Sequence, residues 1–311
     1  VELFPQVSTR PRIVGPDIAM EASFNSSWVD VPAAIVYMQQ FVGNCSVLGV
    51  DLYAVTHHEY LKIQEYATHP APAELLDMAG TIGRAMRAAI PQTTKLWAGE
   101  IGPHTGQSPG CDHTSLRWSN WASSFWYIDS MGLKAASGYD MFCRQDFVGI
   151  DYGLIDCATF NPLPDYYAGV LWGRTMGTKV LNVSSTNSSS GGVRSYAHCT
   201  TSGDGATLVL INLGEQAWPS ATLVLAEPVT LPGTVSATIW VLTGPAGTNS
   251  SLVSLNGHVL ALEKNQLPLL AGENKTLLVS ANRVTLPEIP PESIQFVTLH
   301  EVGRLVGCAC V

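Results

Sequence analysis

The stretch AELLDMAGTIGRAMRAAIPQTTKLWAGE, Ala73 to Glu100, decides how the first half of this chain is read. Leu75, Ala79, Ile82, Met86 and Ala89 recur at spacings of four and three, so they share one face of a helix. The run KLWAGE that follows reads as a short buried strand, and it ends on a carboxylate, Glu100.

Working outward, the same alternation continues on both sides. Upstream, RIVGPDI (Arg12 to Ile18) reads as a strand, IVYMQQFV as a helix, and VLGVDLYAVTHHEY (Val47 to Tyr60) as a buried strand running into polar residues. Downstream of a Gly/Pro/His loop, Trp118, Trp121, Ala122, Phe125 and Ile128 fall on one helical face, with Gly132 as the expected stop. AASGYDMFCRQ reads as a fourth strand, and NPLPDYYAGVLWGRTMG as a turn and a helix ended by Gly177. Strands alternating with helices imply a parallel sheet of right-handed βαβ units. Four such units are half of a (β/α)8 barrel, whose ring takes about 250 residues.

Beyond Thr178 the texture changes to short alternating segments (TLVLINL, TLVLAEPVTL, SATIWVLT, QFVTLHEV) between Gly, Pro and Asn, the pattern of an antiparallel β-sandwich. The expected class is therefore α/β plus all-β, with residues 1–177 a partial (β/α)8 TIM barrel and residues 178–311 a C-terminal β-sandwich. A half barrel leaves two sheet edges open. Its completion is expected from material upstream of Val1 or from a second chain.

With 46% hydrophobic and 13% charged residues in 311, the chain can bury a sizeable core as one large domain or two moderate ones. A net charge of −9 argues against a nucleic-acid partner. The longest apolar runs are strand-length and interrupted, so no membrane span is expected. The chain opens on Val1 with no leader, so this end reads as internal or processed. Asn25, Asn44, Asn182, Asn187, Asn249 and Asn274 each open an Asn-x-Ser/Thr acceptor, which points to a secreted or endomembrane-lumen (vacuolar or lysosomal) glycoprotein, although Ser/Thr-rich loops also generate such triplets. Cys45, Cys111, Cys143, Cys157, Cys199, Cys308 and Cys310 lack zinc-site spacing. At least one disulfide is expected, and the odd count leaves a free thiol or an intermolecular bond.

In a βα barrel the C-terminal strand ends face the active site. Those ends carry THHEY, WAGE and FCRQ, with DYGLID in the next turn. A strand-end carboxylate reached by Tyr and His from the preceding strand is what a glycosidase nucleophile requires, Tyr60 orienting one oxygen of Glu100 toward the anomeric carbon. The bland alternative is that Glu100 caps its loop or pairs with Arg144. Metal binding is a rival, since His57, His58 and Glu59 are adjacent and His104, Asp112 and His113 lie not far along the chain, but adjacent strand residues face opposite ways, so His57 and His58 cannot easily share one ion. A Cys143 nucleophile lacks a base at defined spacing. No metal or other cofactor is implied.

The segments GPDI, VTHHEY, WAGEIGP, RQDFVGIDYGLID, NPLPDYYAGVLWGRTMGTKVL and YAHCT come in the order of the heparanase-like glycoside hydrolases, and from about Arg12 to Val311 the chain resembles the C-terminal half of a plant-type heparanase-like β-glucuronidase. The resemblance implies the last four strands of the barrel followed by the sandwich, a glucuronic-acid-containing glycan or glucuronide as substrate, and a retaining mechanism. It makes Glu100 the nucleophile and places His58 and Tyr60 in the sugar subsite. Gly106, Gln107, Gln145 and Tyr152 match positions that contact the glucuronate, and Cys199 with Cys310 match the disulfide of the sandwich.

One departure matters. Retaining hydrolysis needs a second carboxylate as acid/base, which the family carries in an Asn-Glu pair, and no Asn-Glu occurs in these 311 residues. In the family's order it would lie upstream of GPDI. Asp112 and Asp151 are poor stand-ins, neither being a strand-end residue opposite Glu100. The isolated chain is accordingly expected to be inactive, and the competing reading is a carbohydrate-binding pseudoenzyme or decayed gene product. Arg194 is alone in SSTNSSSGGVRSYAHC, where animal relatives are basic, which with the acidic charge points to glucuronides of low charge.

Overall fold

The computed structural model describes residues 11–21, 31–61, 68–103, 119–149, 152–184, 192–225, 232–303 and 306–308, the side chains of 20 and 21 excepted. The first part runs β1 (Ile13–Glu21), α1 (Val31–Val47), β2 (Leu52–Tyr60), α2 (Ala73–Ala89), β3 (Lys95–Gly102), α3 (Trp121–Ala136), β4 (Met141–Arg144) and α4 (Pro164–Thr175). The four strands pair in parallel in the order β1-β2-β3-β4. Helix α2 occupies the span its periodicity implies, with Leu75, Ala79, Ile82 and Met86 buried.

Details of this first part differ from what the sequence implies. Gly132 does not stop α3, which runs on to Ala136. Its role is clearance, since a Cβ there would meet the Tyr196 ring at 2.3 Å. The fourth strand is also shorter than AASGYDMFCRQ suggests, because Ala135 and Ala136 belong to α3 and only Met141–Arg144 pair with β3.

The remainder comprises β5 (Val180–Leu181), β6 (Val193–Cys199), β7 (Ala206–Asn212), β8 (Ala221–Val224), β9 (Thr234–Thr243), β10 (Ser254–Leu255), β11 (His258–Val259), β12 (Glu273–Ser280), β13 (Arg283–Leu286) and β14 (Ser293–Leu299). Alternating strands imply two stacked sheets. They instead form one hydrogen-bonded 10-stranded antiparallel sheet, with main path β5-β6-β7-β14-β9-β12-β13-β8, curled so that Leu208, Ala237, Val284, Val297 and Leu299 enclose one core. Its other face joins the core of the helices, through Val209, Ile211, Leu242, Ile294 and Phe296. Strands β7 and β14 are therefore buried at every position.

Polar contacts lock this junction. Trp121 donates its indole N–H to the Glu292 carbonyl at 2.9 Å. Asp129 of α3 accepts from Arg194 Nε at 2.5 Å and from the Tyr196 hydroxyl at 2.6 Å. The disulfide expected between Cys199 and Cys310 is not formed: Cys199 bonds Cys308, with Cα atoms 5.3 Å apart, joining the end of β6 to the chain's last described segment. Cys310 lies outside the described residues.

Beneath the helices, β2 turns His57 and Glu59 outward, where both are fully buried. Lys134 of α3 meets Glu59 Oε2 at 2.5 Å and donates to the Ala79 carbonyl at 3.0 Å, tying α2 and α3 to the sheet. Burial pushes the Glu59 carboxyl up and the Lys134 amine down, and their mutual attraction opposes both shifts. Breaking such a pair leaves one unpartnered buried charge. We expect Lys134→Met alone to cost about 3–5 kcal/mol in denaturant unfolding, and Glu59→Leu with Lys134→Met to recover most of it.

His57 hydrogen-bonds the Tyr139 hydroxyl through Nε2 at 2.7 Å. Burial, reinforced by Lys134, pushes its pKa from 6.5 down to about 3. The folded chain thus keeps this imidazole neutral where the unfolded chain takes up a proton, so the stability it contributes is complete above 6.5 and is lost as pH falls toward 3. Melting temperature should fall across that window, and His57→Gln should flatten the slope.

Candidate active site

Side chains alternate along β2, so Thr56, His58 and Tyr60 face opposite to His57 and Glu59. Strict alternation on β3 would turn Glu100 to the helix side, with Ala98. It does not, because β3 is bulged. His57 pairs with Ala98 and His58 with Glu100, leaving Gly99 as the extra residue. The irregularity recurs against β4, where Phe142 pairs with Ala98 and Arg144 with Ile101. A bulge re-aims the side chain that follows it, and this one delivers Glu100 to the face of His58 and Tyr60.

There Glu100 is 31% exposed and Tyr60 6%. The Tyr60 hydroxyl donates to Glu100 Oε1. Burial first, and then this hydrogen bond, push the Tyr60 phenol far above its ordinary value, so it remains a donor. His58 Nδ1 lies 3.7 Å from Glu100 Oε2. Arg144, the alternative partner for Glu100, is engaged elsewhere: it pairs with Asp165 at 2.9 Å and donates to the Tyr152 carbonyl at 2.8 Å.

Tyr152 and Tyr60 both crowd Gly102, where a Cβ would lie 2.5 Å from the Tyr60 ring and 3.4 Å from that of Tyr152. Gln145 closes β4 beside this group, its backbone N–H bonded to the Ile101 carbonyl at 2.9 Å. The structure thus brings together Glu100, His58, Tyr60 and Tyr152, with Gln145 one strand away. Gly106 and Gln107 lie outside the described residues, as do His104, Asp112, His113 and Asp151.

The rival chemistries fare differently from the carboxylate. His57 and His58 lie on opposite faces of β2, and among the described residues no three His, Cys, Asp or Glu side chains converge on a metal position. Burial and the nearby Asp17 carboxylate push the Cys143 thiol up, the wrong direction for a thiolate nucleophile.

Sequence reasoning missed Asp17 itself. It lies in the quoted GPDI, yet only the fold shows its carboxylate 2.9 Å from His58 Nε2. The available signal was a Gly-Pro-Asp triplet inside an otherwise apolar strand, a combination that marks an irregular backbone.

A parallel sheet under helices, joined to a curled antiparallel sheet, is an arrangement shared with solved structures. The structure matches the GH51 arabinofuranosidase of Xanthomonas axonopodis pv. citri with a TM-score of 0.55 at 13% identity, over 91% of this chain and 58% of that one. It matches a family 44 xyloglucanase of Paenibacillus polymyxa with a TM-score of 0.56 at 15% identity, over 93% and 57%. The fold is thus one shared with these two solved structures.

In sequence the chain resembles the heparanase-like proteins. It is 41% identical over 207 residues to heparanase-like protein 1 of Arabidopsis thaliana, covering 62% of this chain and 37% of that protein. Similarity to the baicalin-beta-D-glucuronidase of Scutellaria baicalensis is 26% over 322 residues, 99% of this chain and 54% of the relative. Heparanase of Gallus gallus is 33% identical over 159 residues, 49% of this chain and 29% of its own. The chain therefore spans about half or less of the length of these relatives. No family model matches it.

The bulge at Gly99 is a sharp point of failure, because a Cβ there would lie 2.5 Å from Asp17 Oδ1 and 3.3 Å from the Thr56 Cβ. We expect Gly99→Val to lower the melting temperature by several degrees, with a loss on the order of 1–3 kcal/mol, and to turn Glu100 away from Tyr60. A crystal structure of the variant would show whether the carboxylate has moved.

Proposed function

We propose that this chain supplies the nucleophile side of a retaining β-glucuronidase site. The observation that carries the reading is Glu100 itself, bulged out of the alternation of β3 and fixed by the Tyr60 hydroxyl. Its carboxylate attacks the anomeric carbon and forms a glycosyl ester, while the aglycone oxygen departs with a proton from an acid/base carboxyl about 5–5.5 Å away. That residue, now a base, takes a proton from water as the water attacks the anomeric carbon and frees Glu100. In this reading Tyr152 and the backbone amides near Gly106 hold the sugar carboxylate, a task for which backbone N–H groups are suited, while Gln145 and Gln107 contact the glucuronate. The relative whose similarity spans nearly the whole chain is named for a glucuronide, which supports that substrate class.

The acid/base comes, in this reading, from barrel strands outside these residues, as an upstream half of the same protein or a second chain. The four-stranded parallel sheet supports this. Parallel sheets are ordinarily covered on both faces, with their edges blunted, covered or closed, whereas here β1 and β4 each have one strand partner among the described residues, and Ile13, Val14 and Met141 are exposed at these ends. Glycosylation and an extracytoplasmic setting fit as well, since the acceptor residues Asn44, Asn182, Asn249 and Asn274 are all exposed. Among the described residues no helix is long and apolar enough to cross a membrane.

A second reading, a carbohydrate-binding pseudoenzyme, is favoured by one observation only, the lack of an Asn-Glu pair in this sequence. Turnover separates the two. In the full-length protein Glu100→Gln should abolish hydrolysis of an aryl β-D-glucuronide by several orders of magnitude while leaving binding within a few-fold. The 311-residue polypeptide alone should be inactive, having lost a contribution of about 10²–10⁴ with the acid/base. A full-length protein that binds glucuronide without turning it over would support the pseudoenzyme instead.

A further inference from the structure

We propose that Asp17 is a positioning residue of this site, holding His58 so that the imidazole braces the second oxygen of Glu100. The inference rests on the reading of Glu100 as nucleophile and deepens it. Asp17 is the irregular residue of β1: Pro16 pairs with Thr56 and Ile18 with His57, so Asp17 is bulged out of the register. Its φ of 64° lies in the left-handed region, which Asp tolerates better than most residues but which the surroundings must hold in place.

That conformation carries the carboxylate away from its own strand. One oxygen, Oδ1, enters the notch left by the missing side chain of Gly99. The other, Oδ2, accepts from His58 Nε2–H at 2.9 Å, which turns Nδ1 of the same ring toward Glu100 Oε2. Two bulges, one on each side of β2, thus converge on one imidazole. Asp17 is 51% exposed, so its burial gives the fold little, and its specific contact is with His58.

A carboxylate nucleophile must present one lone pair to the anomeric carbon. Tyr60 fixes Oε1, and alone it would leave the carboxylate free to pivot about that hydrogen bond. In the imidazolium form, with an N–H on each ring nitrogen, His58 donates toward both carboxylates and limits the pivot at Oε2. At 3.7 Å the contact is longer than a hydrogen bond, and catalytic contacts of this kind tighten when substrate binds. Asp17 acts through His58 and has no reaction step of its own.

The test is a double-mutant cycle in the full-length protein with 4-nitrophenyl β-D-glucuronide as the probe. Asp17→Ala should lower kcat by about 10- to 100-fold, as expected of a small misplacement at the reacting group, with KM changed by about two-fold or less. Asp17→Asn keeps an oxygen to accept from Nε2–H and should recover most of the loss. In a His58→Ala background, Asp17→Ala should cost nothing further. If the alanine variant does not fold, Asp17→Ser, whose oxygen cannot reach Nε2, takes its place in the cycle. Equal losses from Asp17→Ala with and without His58, or wild-type kcat in Asp17→Ala, would overturn the proposal. Glu100→Gln separates the two levels: full activity in that variant sinks the nucleophile assignment, whereas its inactivity beside an unaffected Asp17→Ala sinks only this inference.

Discussion

One extra residue in β3 is the constraint on which the site depends. Without Gly99 in excess, the alternation of a strand would bury Glu100 among the helices, where the neighbouring cations are already engaged: Lys134 is committed to Glu59 and Arg144 to Asp165. With it, Ala98 still packs outward in the core and Glu100 reaches Tyr60. The residue must be glycine because Asp17 and Thr56 already fill the space a side chain would need. Bulge, carboxylate and neighbours are therefore one packing solution.

The floor of that solution is ionic, which is unusual for a layer between sheet and helices. Glu59 with Lys134, and Arg144 with Asp165, place four buried charges on the outer side of the strands that carry the site. Asp165 also accepts from the hydroxyls of Ser123 and Ser124, at 2.8 and 2.7 Å, so α3, α4 and β4 meet at one carboxylate. Each pair offsets the cost of desolvating charge only while both partners are present and correctly placed. Such pairs give less net stability than apolar packing would, and they tie α2 and α3 to β2 and α4 to β4, the strands on either side of the one that carries Glu100.

Periodicity makes the first half legible. Helix α2 is readable because its apolar face is regular, and the strand ends are readable because polar residues interrupt apolar runs. The bulges are not, since pairing register is a relation between strands. It leaves no mark on either strand beyond a glycine or a Gly-Pro-Asp triplet, both equally at home in an ordinary turn. Gly132 shows the same limit: a glycine in a helical pattern reads as a stop, whereas here it admits a tyrosine from a strand more than sixty residues away. In the second half alternation reveals strands but does not tell two sheets from one that curls. Cys199 does form a disulfide, but two nearby cysteines stand as partners in the sequence and only the closing geometry selects Cys308.

The burial of β7 and β14 on both faces bears on how such a protein can be taken apart. A sheet that shields only its own interior can be cut from its neighbour and remain soluble. Here the concave face closes one core, while the convex face, with Val209, Ile211, Leu242, Ile294 and Phe296, completes the packing of α3 and α4. A cut in the link between α4 and β5 would sever the chain without dividing the molecule, because neither piece would retain a finished surface. Inheritance follows the same logic: the two parts can exchange partners between genes only if the aromatic and aliphatic side chains at their boundary travel with them.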